Sequence, residues 1–149
     1  MESKDLKKVI GEVAKRNCFK LVNSNWVKES EETIMVLNLQ KSNFSNKYYL
    51  NIRVFIKGLF DKFIKIDKTV LKNDTGDVFR RTPPEFDPVL DLENDIELSL
   101  RIEEIEKLFN SFIIPFSYDA LSIKGLLDLY RRNQINLLPA VKDALEKFK

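Results

Sequence analysis

The chain contains no histidine, one cysteine (Cys18), four glycines and five prolines among 149 residues. Without histidine there is no Ser-His or Cys-His catalytic pair, no His-ligated zinc and no haem on a proximal histidine. A single cysteine excludes an internal disulfide framework and fits a reducing cytosol. The glycines Gly11, Gly58, Gly76 and Gly125 stand far apart, so no glycine-rich phosphate cradle and no G-x-S-x-G nucleophile elbow can be built. Apolar runs are only a few residues long, and no segment can span a membrane. Met1–Asp5 lacks the basic start and apolar stretch of a secretory signal, so a cytoplasmic location is expected.

What is present is an ordinary globular balance, 44% apolar and 32% charged, enough for one domain over 1–149 with one core. The net charge of +2 is small but unevenly spread. Residues 1–82 carry 17 Lys/Arg against 10 Asp/Glu, and residues 83–149 carry 8 against 13. The contrast is sharpest between the basic stretch Lys57, Lys62, Lys65, Lys68 and Lys72 and the acidic stretch Glu85–Glu106. Such runs form solvated faces or a docking surface for an oppositely charged partner.

Periodicity predicts the elements. Leu6, Val9, Ile10, Val13 and Ala14 fall on one face of a helix over residues 4–16, with Ser3 as N-cap, Asn17 as stop and the lysines on the other face. Cys18 beside Phe19 reads as a small buried hydrophobe. Strands are expected at Cys18–Val22 and Trp26–Lys28, flanking the turn Asn23-Ser24-Asn25, and at Thr33–Gln40. Lys47–Lys57 alternates strictly and reads as a long strand with one apolar face. Phe60, Phe63, Ile64 and Ile66 suit a short helix or an edge strand. Asp77–Thr82 reads as a further strand, and the proline-containing stretch to Asn94 as an ordered loop. Leu98, Ile102, Ile105, Phe109, Phe112 and Phe116 make one helical stripe that Pro115 should kink or end. Two further helices follow, one capped by Ser122 with Ile123, Leu126, Leu127 and Tyr130 inward, one started by Pro139 with Val141, Leu145 and Phe148 inward. The expected fold is α+β: an N-terminal helix, an antiparallel sheet of about four strands, and C-terminal helices packed on one face. Its core would hold Leu6, Val9, Ile10 and Val13 of the first helix with Trp26, Val36, Leu50, Ile52, Val54, Ile102, Ile105, Phe109, Phe112 and Leu126.

Candidate chemistry is sparse, and no catalytic residue, metal or cofactor is assigned. Asp91, Glu93 and Asp95 alternate like a calcium loop, but position six is Ile96 and position twelve is Ile102, where glycine and glutamate are required. Tyr49, Arg53, Phe55 and Lys57 share a strand face, loosely like a nucleic-acid stacking platform, although nucleic acid is not the expected partner. Asn38, Gln40 and Asn51 are polar residues inside strands, serving either to satisfy one another or, with Arg53, as a recognition patch. The candidate binding residues are therefore Gln40, Asn51, Arg53, Arg80 and Arg81.

The run Ile34-Met35-Val36-Leu37-Asn38-Leu39-Gln40-Lys41-Ser42, a short loop, and Tyr48-Tyr49-Leu50-Asn51-Ile52 resembles the family filed as domain of unknown function 4304. The surrounding order agrees: an opening helix, a turn into Phe19, Trp26 before the strand pair, and a helix reading Phe112-Ile113-Ile114-Pro115-Phe116. The resemblance covers roughly residues 3–133. Family members often carry a histidine and an arginine on the strand after the hairpin; here that place reads Asp77-Val78-Phe79-Arg80-Arg81, with arginine kept and histidine absent. The resemblance implies no established activity. It implies small intracellular bacterial proteins, some immunity-like or accessory to toxin systems. The expected function is a non-enzymatic module that binds a protein partner. The alternatives are a histidine-free enzyme with a polar cleft around Gln40, Asn51 and Arg53, and a weak nucleic-acid binder.

Overall fold

The computed structural model describes residues 1–61 and 64–148. Its order is α1 (Ser3–Arg16), β1 (Lys20–Val22), β2 (Asn25–Glu29), β3 (Thr33–Lys41), β4 (Tyr48–Ile56), α2 (Lys68–Asn73), β5 (Val78–Arg81), α3 (Leu98–Leu108), α4 (Ile114–Ala120), α5 (Ile123–Arg131) and α6 (Pro139–Lys147). The five strands form one antiparallel sheet in chain order, β1-β2-β3-β4-β5. The α+β fold expected from the sequence is confirmed, with five strands rather than about four because the three-residue β1 pairs fully with β2.

Helix α1 lays Leu6, Ile10, Val13 and Ala14 on the sheet. Ser3 is the first helical residue rather than the cap: the Glu2 N–H ahead of it donates to the Asp5 carboxylate at 3.0 Å. Asn17 closes the helix through its side chain, which donates to Val13 O at 2.8 Å, and Cys18 takes the left-handed turn with φ 69°. That turn carries the Cys18 side chain outward, so the cysteine is exposed and not a core residue. Asn23 and Ser24 have φ 47° and 66° and join β1 to β2 in a two-residue hairpin.

The main core runs from Leu6 through Leu37, Leu50, Ile52 and Val54 to Ile105, Phe109, Leu126 and Leu145. The alternation in β4 predicts one apolar face, but the other face is also half covered. Ile34, Val36, Phe55 and Leu71 form a second cluster under α2, and Phe55 is 1% exposed. Val36 belongs there and not in the main core, because it stands opposite Arg53 in the register and shares its face. Residues expected to be helix or edge strand supply this cover: Asp67 accepts from Val70 N at 3.0 Å and starts α2. Lys62 and Phe63 lie outside the described residues.

The proline stretch is more ordered than a loop: Pro84–Leu90 is a 3-10 helix that buries Phe86, Val89 and Leu90. The long helical stripe does not run through unbroken. Phe109–Ile113 forms a π-helical turn between α3 and α4, just where Pro115 removes an N–H from the ladder. Within α3 the buried side is Arg101, Ile105 and Leu108, with Ile102 only partly covered and Leu98 facing solvent; from the π turn onward it is Phe109, Ile113, Phe116 and Ala120, with Phe112 only partly covered. Ser122 accepts from Gly125 N at 2.9 Å and caps α5 as expected. Gly125, Leu126, Leu127 and Leu129 form its buried face, with Ile123 and Tyr130 half-buried. Val141 and Leu145 of α6 point inward, whereas Phe148 at its end is exposed.

Candidate functional site

The polar strand residues meet in one row across the open half of the second sheet face. Asn38 pairs with Asn51, and Asn51 with Arg81, in adjacent strands. Asn51 Nδ2 donates to Gln40 Oε1 at 2.8 Å and to Asn38 Oδ1 at 3.4 Å, and Asn38 Nδ2 donates to Asn25 Oδ1 at 2.8 Å. Asn25, in turn, donates to Asn23 O at 2.9 Å. Arg81 closes the row, its Nε donating to Asn51 Oδ1 at 3.2 Å and its Nη2 to Gln40 Oε1 at 3.4 Å. The Arg81 guanidinium lies over the Tyr49 ring at 4.0 Å, and Lys47 approaches the same ring at 5.2 Å.

The three candidate arginines are not brought together. Arg53 shares the amide face, but its Nη1 donates to Leu71 O at 2.6 Å and holds the end of α2. Burial pulls its guanidinium below the usual arginine value, with Asp74 opposing. Arg80 is on the opposite face. It lies over Phe112 at 4.6 Å, donates to Gln134 O at 2.7 Å and ties β5 to the C-terminal helices, burial again lowering its pKa. Only Gln40, Asn51 and Arg81 form a cluster, whose hydrogen-bonding members are amides and one guanidinium. Asn51 is 1% exposed and serves Gln40, Asn38 and Arg81 at once. Asn51→Ala is expected to cost about 1–3 kcal/mol in a urea titration, because it removes the hydrogen bonds to Asn38, Gln40 and Arg81 from a buried position. Arg81→Ala, at an exposed position, is expected to change stability by about 0.5 kcal/mol or less.

The residues expected to stack nucleic acid are otherwise engaged. Phe55 is covered by α2, Arg53 is bound to Leu71 O, and Lys57 Nζ donates to Ser30 O at 2.7 Å and pairs with Glu29 at 3.3 Å.

A second feature escapes a reading by elements. A cavity of about 1240 Å³ is lined by α1, the β1–β2 hairpin, the end of β3 and α2. Because α1 covers one sheet face and α2 the other, the cavity passes around the hairpin at the sheet edge. Seven lysines line it: Lys4, Lys7, Lys8 and Lys15 from α1, Lys20 from β1, and Lys68 and Lys72 from α2. Among the described residues that line it, Glu12 is the one carboxylate. Its apolar lining includes Leu21 and Leu39 on the α1 face and Leu71 on the α2 face, and Leu21 is 70% exposed. The signals were visible separately, as the lysine face of α1 and the basic stretch after β4. Their convergence depends on the fold.

A family model described as a domain of unknown function (DUF4304) matches residues 10–118. The chain belongs to that family. The DUF4304 match spans the second half of α1, all five strands, α2, α3 and most of α4, so the amide row and the hairpin edge lie within it. Lys4, Lys7 and Lys8, and helices α5 and α6, lie outside the matched residues. No curated protein and no solved structure matches this DUF4304 chain. Among the described residues no helix is long and apolar enough to cross a membrane.

Proposed function

We propose that the chain is a non-enzymatic protein-binding module, of the immunity-like or accessory kind, that holds an acidic segment of its partner in the lysine-lined cavity. The observation that carries this reading is the convergence, among the described residues, of seven lysines and one carboxylate from three separate chain segments on a cavity with apolar side chains in its lining. Gathering like charges costs free energy unless an oppositely charged partner uses them, and such a field speeds encounter with that partner. A peptide suits the cavity better than a nucleic acid. Its aromatic lining residues, Phe19 and Trp26, are 3% and 5% exposed and offer no stacking surface, whereas Leu21 offers an aliphatic one.

Lys7 and Lys68 are exposed and lie on the two sides of the hairpin, so Lys7→Glu/Lys68→Glu should leave the fold intact. Capture of a partner from native cytoplasm at low salt is expected to fall at least about tenfold in this variant, to fall with added salt in the wild type, and to be unchanged in Arg81→Ala. A double reversal that captures the same partner as well as wild type, a loss caused by Arg81→Ala alone, or no partner for the wild type would each overturn the proposal.

A further inference from the structure

The free edge of the sheet lies inside the cavity, and the strand parity fixes which main-chain groups it offers. Ser30 N donates to Thr33 O at 2.8 Å, so that pair is hydrogen-bonded. Antiparallel pairs alternate, so Lys28–Met35 and Trp26–Leu37, two and four residues along the same register, are hydrogen-bonded as well. Even-numbered residues of β2 therefore serve β3, and odd-numbered ones turn toward β1, where Asn25 meets Val22 and Val27 meets Lys20. Lys20 and Val22 spend their main-chain groups on β2. Leu21, between them, turns its N–H and C=O outward from the sheet.

Side-chain direction follows from the same register. Leu21 stands opposite Trp26, whose indole nitrogen lies 3.2 Å from where a Cβ on Gly11 of α1 would be, so both belong to the α1 face. Lys20 points to the other face, where Lys68 and Lys72 of α2 also line the cavity.

We propose that the acidic segment adds as an antiparallel strand along β1, exchanging main-chain hydrogen bonds with Leu21. It sets one aliphatic residue opposite the Leu21 side chain and an acidic residue on either side of that aliphatic one. This deepens, and rests on, the reading of the cavity as a site for an acidic partner. The flanking acids point to the α2 face and meet Lys20, Lys68 and Lys72. The next acids out return to the α1 face and meet Lys4, Lys7 and Lys8. Strand addition draws affinity from the main chain and specificity from alternate side chains, which matches an edge bordered by lysines on both faces. Lysines at a sheet edge can also serve only to repel other edges, and that use predicts no peptide binding.

The probe is the capped peptide Glu-Asp-Glu-Val-Glu-Asp-Glu, titrated at low salt into the chain, with two N-methylated versions beside it. N-methylation of the valine removes the N–H that would reach Leu21 O; N-methylation of the following glutamate blocks an N–H that points away from β1. The parent peptide is expected to bind and to shift the Leu21 amide proton downfield. The valine-methylated peptide is expected to bind about tenfold or more weakly, and the glutamate-methylated one within about twofold of the parent. Equal affinities for all three peptides, with binding still abolished by Lys7→Glu/Lys68→Glu, would overturn strand addition and leave the acidic-partner reading standing. Absence of binding for the parent peptide would overturn both.

Discussion

Gly125→Ala is expected to cost about 3 kcal/mol or more of stability, the upper range for forcing an atom into a filled space. A Cβ on Gly125 would lie 2.0 Å from Asp119 O and 2.6 Å from Asp119 C and Cα. These are backbone atoms of α4, so no side-chain rotation can make room. The α4–α5 junction cannot drift away easily either. Thr33 Oγ1 donates to Ala120 O at 2.8 Å, Ser30 Oγ donates to Leu121 O at 2.6 Å, and Ile123 N donates to Glu32 Oε1 at 3.2 Å. The β2–β3 turn thus clasps this junction, and the strain should pass into the sheet. Glycine is required here for a close approach between helices, not for its backbone freedom. A chemical-denaturation midpoint equal to wild type would show that the junction yields.

Arg101→Met is expected to cost about 2–3 kcal/mol, since it removes the guanidinium bonds that tie three carbonyls of one loop together and leaves Val89 O without the arginine donor, while Asp91 O and Asn94 O keep the N–H groups of Asn94 and Ile96. Arg101 is 2% exposed, and its guanidinium is spread across one loop: Nη1 donates to Val89 O and, at 3.4 Å, to Asp91 O, while Nη2 donates to Asn94 O at 2.8 Å. Burial holds its pKa below the usual arginine value, with Asp91 opposing. These bonds fix residues 89–94, which in turn reach the β3–β4 hairpin: Leu92 N donates to Asn46 O at 3.0 Å, and Asp91 bridges to Lys47. Arg101→Lys should recover little of the loss, because one ammonium cannot span carbonyls from Val89 to Asn94. Full recovery by lysine would show that charge alone, not the planar fork, holds the loop.

The legibility of this fold varied with the range of the forces behind each element. Helix α1, the β3–β4 pair and the Ser122 cap are set by neighbours in sequence, and period, turn residues and cap identity expose them. The π turn at Phe109–Ile113 was not legible, because proline announces a lost hydrogen bond without saying how the backbone absorbs it. Arg101 lies within the acidic stretch Glu85–Glu106, where nothing in the neighbouring residues marks it as buried; the packing of Phe86, Val89 and Leu90 reveals that. At the candidate site, Gln40 and Asn51 were recognisable as polar residues where a strand favours apolar ones. That Arg81 joins them while Arg80 leaves for the other face follows from register, once β5 is placed beside β4. The lysine cavity needed more still: α1, β1 and α2 are separated in sequence and meet only because the sheet keeps its strands in chain order with β1 at the edge.

Amide hydrogen exchange of the chain, free and saturated with the partner it captures, tests the cavity most directly. Partner binding is expected to slow exchange in Lys20–Val22 and in Lys68–Asn73 by about tenfold or more, while Val78–Arg81 at the opposite sheet edge keeps its free rate. Unchanged exchange in Lys20–Val22 and Lys68–Asn73, with protection at Val78–Arg81 or along α6 instead, would contradict the assignment of the lysine-lined edge as the binding site.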